Sequence, residues 1–81
     1  MATETFVDKA LNLRGEVCPY TFVKSKLALE VMQPGQVLQV IVDNDESASN
    51  VPRSMQNEGH DVLEVTKLDG KDWQIRVRKG S

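Results

Sequence analysis

The clearest rhythm along the chain is helical and runs from about Pro19 to Met32, where apolar residues fall on two sides of one helix. At 100° per residue, Phe22, Ser25, Ala28, Leu29 and Met32 share one side, and Val23, Leu27 and Val31 fall nearly opposite. Both stripes cannot face one sheet. Two readings fit the second stripe: it is partly covered by another helix or by loops, or it is a docking surface beside the segment that precedes the helix. Gln33-Pro-Gly35 closes the helix, since the residue before a proline is pushed out of the helical region. Upstream, Lys9 to Leu13 alternates weakly, with Ala10-Leu11 and Leu13 as its apolar positions, and predicts a short first strand broken by Gly15.

Downstream, Val37-Leu-Gln-Val-Ile-Val42 is a β-branched run typical of an interior strand. Asp43-Asn-Asp-Glu46 offers several N-caps, so a second helix is predicted to start between Asn44 and Ser47 and to end at Gly59. Pro52 falls inside that span; it requires an irregular first turn, or it begins the regular helix itself. Val51 and Met55, one turn apart, are expected to face the sheet. His60 to Leu68 alternates around Val62 or Leu63, Val65 and Leu68, and Asp69-Gly70 predicts a hairpin turn. Trp73, Ile75 and Val77 then alternate with Gln74, Arg76 and Arg78 in a last, half-exposed strand.

The order β-α-β-α-β-β predicts a two-layer α/β (α+β) sandwich, a four-stranded mixed sheet with two helices on one face. The right-handed crossover rule makes the first two strands parallel, and the closing hairpin is antiparallel. Residues 1–8 read as a flexible N-terminus and residues 9–79 as a single domain.

Composition narrows the function. With 81 residues the chain is one domain, and 40% apolar and 27% charged residues are ordinary for a globular protein. A net charge of −2 argues against a phosphate-backbone binder, which needs clustered Lys and Arg. The apolar runs are far shorter than the roughly 20 residues that span a bilayer, and the N-terminus has no signal-type apolar stretch. A cytoplasmic protein without membrane contact is expected. A single cysteine excludes an internal disulfide and a Cys-x-x-Cys pair, so any sulfur chemistry must pass through a second molecule. One Cys and one His fall short of a zinc site, so neither metal nor cofactor is expected.

That cysteine, Cys18, stands directly before Pro19, which reads as the first helical residue and places Cys18 at or beside the N-cap. Free N–H groups of the first turn would then point at the sulfur and favour the thiolate. Arg14, Lys24 and Lys26 make the surroundings cationic, with Glu16 the exception. The competing reading is a small buried apolar residue. Lys24 and Lys26 read equally as electrostatic support, as partner docking, or as solvated helix residues, and Arg14 as a loop anchor or a contact for an anionic donor. His60 reads as the residue opening a strand after the Gly59 cap, Trp73 as core or sheet surface, and Arg76, Arg78 and Lys79 as a solvated basic edge or a surface that brushes tRNA or a partner.

Leu13-Arg-Gly-x-x-Cys-Pro19, Lys24-x-Lys26-x-Ala-Leu29, Met32-Gln-Pro-Gly35, Val51-Pro52, Gly59-His60 and Arg76-Val-Arg-Lys79 together resemble the TusA/SirA family of small sulfur-carrier proteins, over nearly the whole chain from Leu11 to Lys79. The resemblance implies that Cys18 accepts sulfane sulfur as a persulfide and passes it on, acting as a carrier rather than as a stand-alone multi-turnover enzyme. It implies a sulfur-donor protein of the cysteine desulfurase or rhodanese type and a sulfur-acceptor protein, in tRNA thiolation, sulfur oxidation or related trafficking, with nucleic acid involved only indirectly; a monomer is one expectation, and the sequence leaves the oligomeric state open. By the same resemblance Val23, Leu27 and Val31 are the more exposed set. The family's Cys-Pro-x-Pro reads Cys18-Pro-Tyr-Thr21 here, and the acidic pair that often opens the second helix reads Asp43-Asn44. A different class of function, a non-covalent regulatory or interaction module in which Cys18 is incidental, remains the alternative. An RNA-binding sandwich is disfavoured by the acidic balance and by the lack of paired exposed aromatics on adjacent strands.

Overall fold

The computed structural model describes residues 7–17 and 20–80. Six elements follow in the order β1 (Lys9–Asn12), α1 (Tyr20–Glu30), β2 (Val37–Val42), α2 (Asp45–Asn57), β3 (Asp61–Lys67) and β4 (Trp73–Arg78). They form one four-stranded sheet in the order β1-β2-β4-β3, with β1 and β2 parallel and the other two pairings antiparallel. The expected mixed α/β architecture is therefore the observed one. The expected flexible segment 1–8 lies largely outside the described residues. Asp8, which is described, hydrogen-bonds β2 twice, donating its N–H to the Val37 carbonyl (2.9 Å) and accepting the Val37 N–H on its carboxylate (2.8 Å).

Directly paired residues share a sheet face, so the register decides which side chains meet the helices. Leu38 opposes Val77 and Val40 opposes Ile75, and all four are fully buried. From the helices, Ala28, Leu29, Met32, Ala48, Val51 and Met55 close over them. The opposite face pairs Gln39 with Arg76 and Glu64 with Arg76, and it is mainly polar, with Val37 and Ile41 set opposite Arg78 and Gln74. The α1 periodicity is observed as read: Ser25, Ala28, Leu29 and Met32 are buried, whereas Val23, Leu27 and Val31 are exposed.

Four local expectations need correction. Helix α2 continues through Pro52, which is neither preceded by an irregular turn nor the start of the helix. Capping and burial outweigh the lost hydrogen bond: Asn44 caps the N-terminus, and Val51 and Met55 have no exposed surface. At its C-terminus Gly59 adopts φ +94°, donates its N–H to the Gln56 carbonyl, and lets His60 donate to the Met55 carbonyl, the paired bonds of a Schellman cap. Strand β4 is interior rather than a solvated edge, and its cations are engaged within the chain. Arg76 pairs with Glu64 (2.8 Å), Arg78 pairs with Asp61 (2.6 Å), and Lys79 Nζ donates to the Glu30 and Met32 carbonyls at the end of α1. The hairpin turn is longer than the dipeptide Asp69-Gly70, because Asp72 donates its N–H to Asp69 and Leu68 donates to Asp72. Finally, a register shift between Val62 and Glu64 leaves Leu63 unpaired, and Leu63, Val65 and Leu68 remain partly exposed at the free edge of the sheet.

The helices also meet through a polar contact. Thr21 Oγ1 and Ser47 Oγ lie 2.9 Å apart with both residues fully buried, joining the first turn of α1 to the first turn of α2. Thr21→Val deprives Ser47 of that partner and should cost about 1–3 kcal/mol, whereas Thr21→Val combined with Ser47→Ala should recover most of the loss. Denaturant unfolding of both single variants and the double variant measures the coupling, and strictly additive losses would contradict it.

Candidate functional site

Because β1 and β2 are parallel and each is followed by a helix, the N-termini of both helices lie at the same end of the sheet. The β3–β4 hairpin arrives there too, since Trp73 at the start of β4 pairs with Val42 at the end of β2. Three connections therefore converge on one end, and one of them is the segment that carries Cys18.

The approach to Cys18 is held from several sides. The Glu16 N–H donates to the Leu13 carbonyl (3.0 Å), closing a turn in which Gly15 has φ +87°, a conformation that favours glycine. The Gly15 N–H donates to the Asp43 carboxylate (2.9 Å), and Asn44 Nδ2 donates to the Glu16 carbonyl (3.2 Å). Arg14 Nε reaches Asp72 in the hairpin at 2.9 Å. Beside this, Trp73 Nε1 donates to Asp45 at the start of α2 (3.0 Å), and Lys67 Nζ lies 4.8 Å from the Trp73 ring centroid. The segment is thus an anchored loop.

The structure places the sequence-derived candidates as follows. Cys18 and Pro19 lie outside the described residues, and so does the expected helix start at Pro19; their neighbours Val17 and Tyr20 are 57% and 59% exposed. Arg14 takes the anchoring role. Lys24 pairs with Glu16 (2.8 Å) beside the loop, but Lys26 pairs with Glu58 (3.7 Å) at the far end of α2. Two residues apart on a helix, Lys24 and Lys26 point about 200° apart, so they cannot both support one site. All three cations are partnered by carboxylates, which makes the loop less cationic than the residue count suggested.

The helix N-terminus also differs from expectation. The Tyr20 and Thr21 N–H groups both donate to the Val17 carbonyl, at 2.8 and 3.3 Å, so these two first-turn donors are occupied by backbone rather than free for a sulfur anion. Thr21 accounts for the missing second proline: its N–H bonds Val17 and its hydroxyl meets Ser47, and a proline could make neither contact. The roles of Asp43, Asn44 and Asp72 at the loop were not read from the sequence. The Asp43-Asn44 step registered only as turn and N-cap chemistry, and contacts spanning 28 and 58 residues leave no local signal.

Next to the loop, Val17 and Tyr20 continue into Val23 (43% exposed), Leu27 (56%) and Val31 (78%). This is an apolar strip running the length of α1. No described helix is long and apolar enough to cross a membrane.

Comparison with known proteins agrees with this layout. The family model described as sulfurtransferase TusA matches residues 9–79. A candidate sulfur carrier protein of Archaeoglobus fulgidus is 47% identical over 72 residues, covering 89% of this chain and 82% of that protein. A candidate sulfur carrier protein of Thermotoga maritima is 39% identical, covering 89% and 91%. The crystal structure of a SirA-like protein from Desulfitobacterium hafniense superposes with a TM-score of 0.79 at 28% identity, over 90% of this chain and 99% of that one. A match across both helices, all four strands and the anchored loop is a match to the whole domain, and the chain belongs to the TusA sulfurtransferase family of sulfur carriers.

Proposed function

We propose that the protein takes up sulfane sulfur on Cys18 as a persulfide and relays it to a partner protein. One observation carries the reading: the only cysteine of the chain sits in the two-residue step between exposed Val17 and Tyr20, on a loop anchored to both α2 and the hairpin. A thiol that must meet sulfur held by another protein needs exposure and a fixed approach; the residues on either side, Val17 and Tyr20, are exposed, and the Arg14–Glu16 segment that leads to it is anchored.

The chemistry is thiol exchange. The Cys18 thiolate attacks the outer sulfur of a donor persulfide, forming a new S–S bond as the donor's S–S bond breaks and its thiolate departs. An acceptor thiolate then attacks the terminal sulfur on Cys18 and releases the Cys18 thiolate. No electrons are gained or lost overall, and the carrier ends as it began. With thiosulfate as donor the leaving group is sulfite. Since Lys24 and Arg14 are already paired, the loop's main contribution is placement rather than strong thiolate stabilisation. Of the residues earlier grouped with Cys18, Arg14 supports the loop, Lys24 flanks it and Lys26 is turned to Glu58 instead; Pro19 lies outside the described residues.

The donor is a protein of cysteine desulfurase or rhodanese type, and the acceptor acts in tRNA thiolation, sulfur oxidation or related trafficking in the cytoplasm. The strip Val17, Tyr20, Val23, Leu27 and Val31 is the surface on which such a protein is held, because contiguous exposed apolar side chains mark interaction sites whereas scattered ones do not.

Incubation with thiosulfate or polysulfide should add about 32 Da per sulfur to the intact mass, removable by reductant or cyanide, with Cys18→Ser adding nothing. Absence of any gain on a free, accessible thiol would return the protein to the class of non-covalent interaction modules. Leu27→Glu should leave loading from polysulfide unchanged but slow relay from a desulfurase charged with L-cysteine by about tenfold, as expected for an anchor in the centre of an interface. Equal relay rates would remove the strip from the docking assignment.

A further inference from the structure

Asn44 is the side chain that connects helix α2 to the approach of Cys18, and it does so with its two ends separately. Its Oδ1 accepts the Ser47 N–H at 2.7 Å, the N-cap bond of α2, while its Nδ2 donates to the Glu16 carbonyl at 3.2 Å. The two bonds fix the amide orientation, because only the oxygen can accept from Ser47 and only the nitrogen can donate to Glu16. The backbone of Asn44 is extended, with φ −149° and ψ 151°, as an N-cap requires, so the side chain is held by its own helix before it meets the loop.

We propose that Asn44 is a positioning residue for sulfur transfer, using its side-chain N–H to hold the Glu16 peptide while its oxygen caps α2; this rests on the carrier reading above. Both backbone polar atoms of Glu16 are engaged, its N–H by the Leu13 carbonyl and its C=O by Asn44, so the peptide groups on either side of it are each held once. Asp43 fixes the preceding residue by accepting the Gly15 N–H. One residue further on, the Val17 carbonyl receives the first amides of α1. Asp43 and Asn44 therefore grip two consecutive residues, Gly15 and Glu16, of the segment that leads to Cys18, and tie that segment to the sheet and helix behind them. Removing the Asn44 donor frees the Glu16 carbonyl and leaves the approach attached to the rest of the fold through Gly15, the Arg14–Asp72 pair and the Lys24–Glu16 pair, all of them exposed contacts.

The two functions of Asn44 can be separated by substitution. Asn44→Asp keeps an oxygen for the Ser47 N–H and removes the donor to Glu16; Asn44→Ser keeps a capping oxygen without adding charge, and its single, shorter hydroxyl replaces the two-ended amide that spans from Ser47 to Glu16, both residues being good N-caps. Each variant and the wild-type protein are loaded with inorganic polysulfide, and intact mass is followed over time. Melting temperature and backbone amide exchange are recorded alongside. Both variants should load roughly fivefold more slowly, the equivalent of one hydrogen bond. Amide exchange should quicken at Gly15 to Val17, while the Ser47 amide and the melting temperature hold. Wild-type loading rates in both variants overturn the proposal and leave the carrier function standing. Slower loading accompanied by lost Ser47 protection also overturns it, reducing Asn44 to a helix cap. If the wild-type protein itself takes up no sulfur, the carrier reading fails first and the positioning role falls with it.

Discussion

The structure depends on the parallel pairing of β1 and β2, two strands joined through a helix. Once β1 and β2 lie side by side and both helices share one face, their N-termini can only emerge at one end of the sheet. Pairing β4 antiparallel to β2 then delivers the hairpin to the same end. No residue near Cys18 has to create this convergence. The buried Leu38, Val40, Ile75 and Val77 and the helix residues above them create it by making any other arrangement expose apolar surface.

What the core cannot supply is a defined path for a polar loop, and here side chains substitute for missing ladder partners. Asp43, Asn44 and Asp72 satisfy groups of the Arg14–Glu16 segment, each from a different part of the frame. The ion pairs around the loop are largely exposed and contribute little to stability. Their effect is local: they hold Arg14 and Lys24 in place and cancel much of the positive charge that the sequence suggested at Cys18.

Much of the fold was legible because its signals are local. The opposition of Leu29 and Met32 to Leu27 and Val31 follows from helix geometry alone, and the burial of one stripe with exposure of the other repeats it. The N-cap at Asn44 and the glycine cap at Gly59 were equally local. Errors arose where the outcome depended on neighbours distant in sequence. Alternation in Trp73 to Val77 indicated one covered face, but it could not show that β3 would take the outer position and leave β4 inside. Pro52 called for an irregular first turn or a helix start of its own, because its cost is local and the burial of Val51 and Met55 that outweighs it is not.

The same division separates the cysteine from its support. The sequence by itself determined the elements, their order, the family resemblance and the presence of a single cysteine, since spacing, caps and composition act over a few residues. Only the tertiary structure decided that Lys24 and Lys26 serve different places, that the first amides of α1 are taken by Val17, and that Asn44 reaches back to Glu16. Those outcomes depend on which groups a packed sheet brings within hydrogen-bond distance, and contacts between residues 28 or more positions apart have no signature in the local pattern.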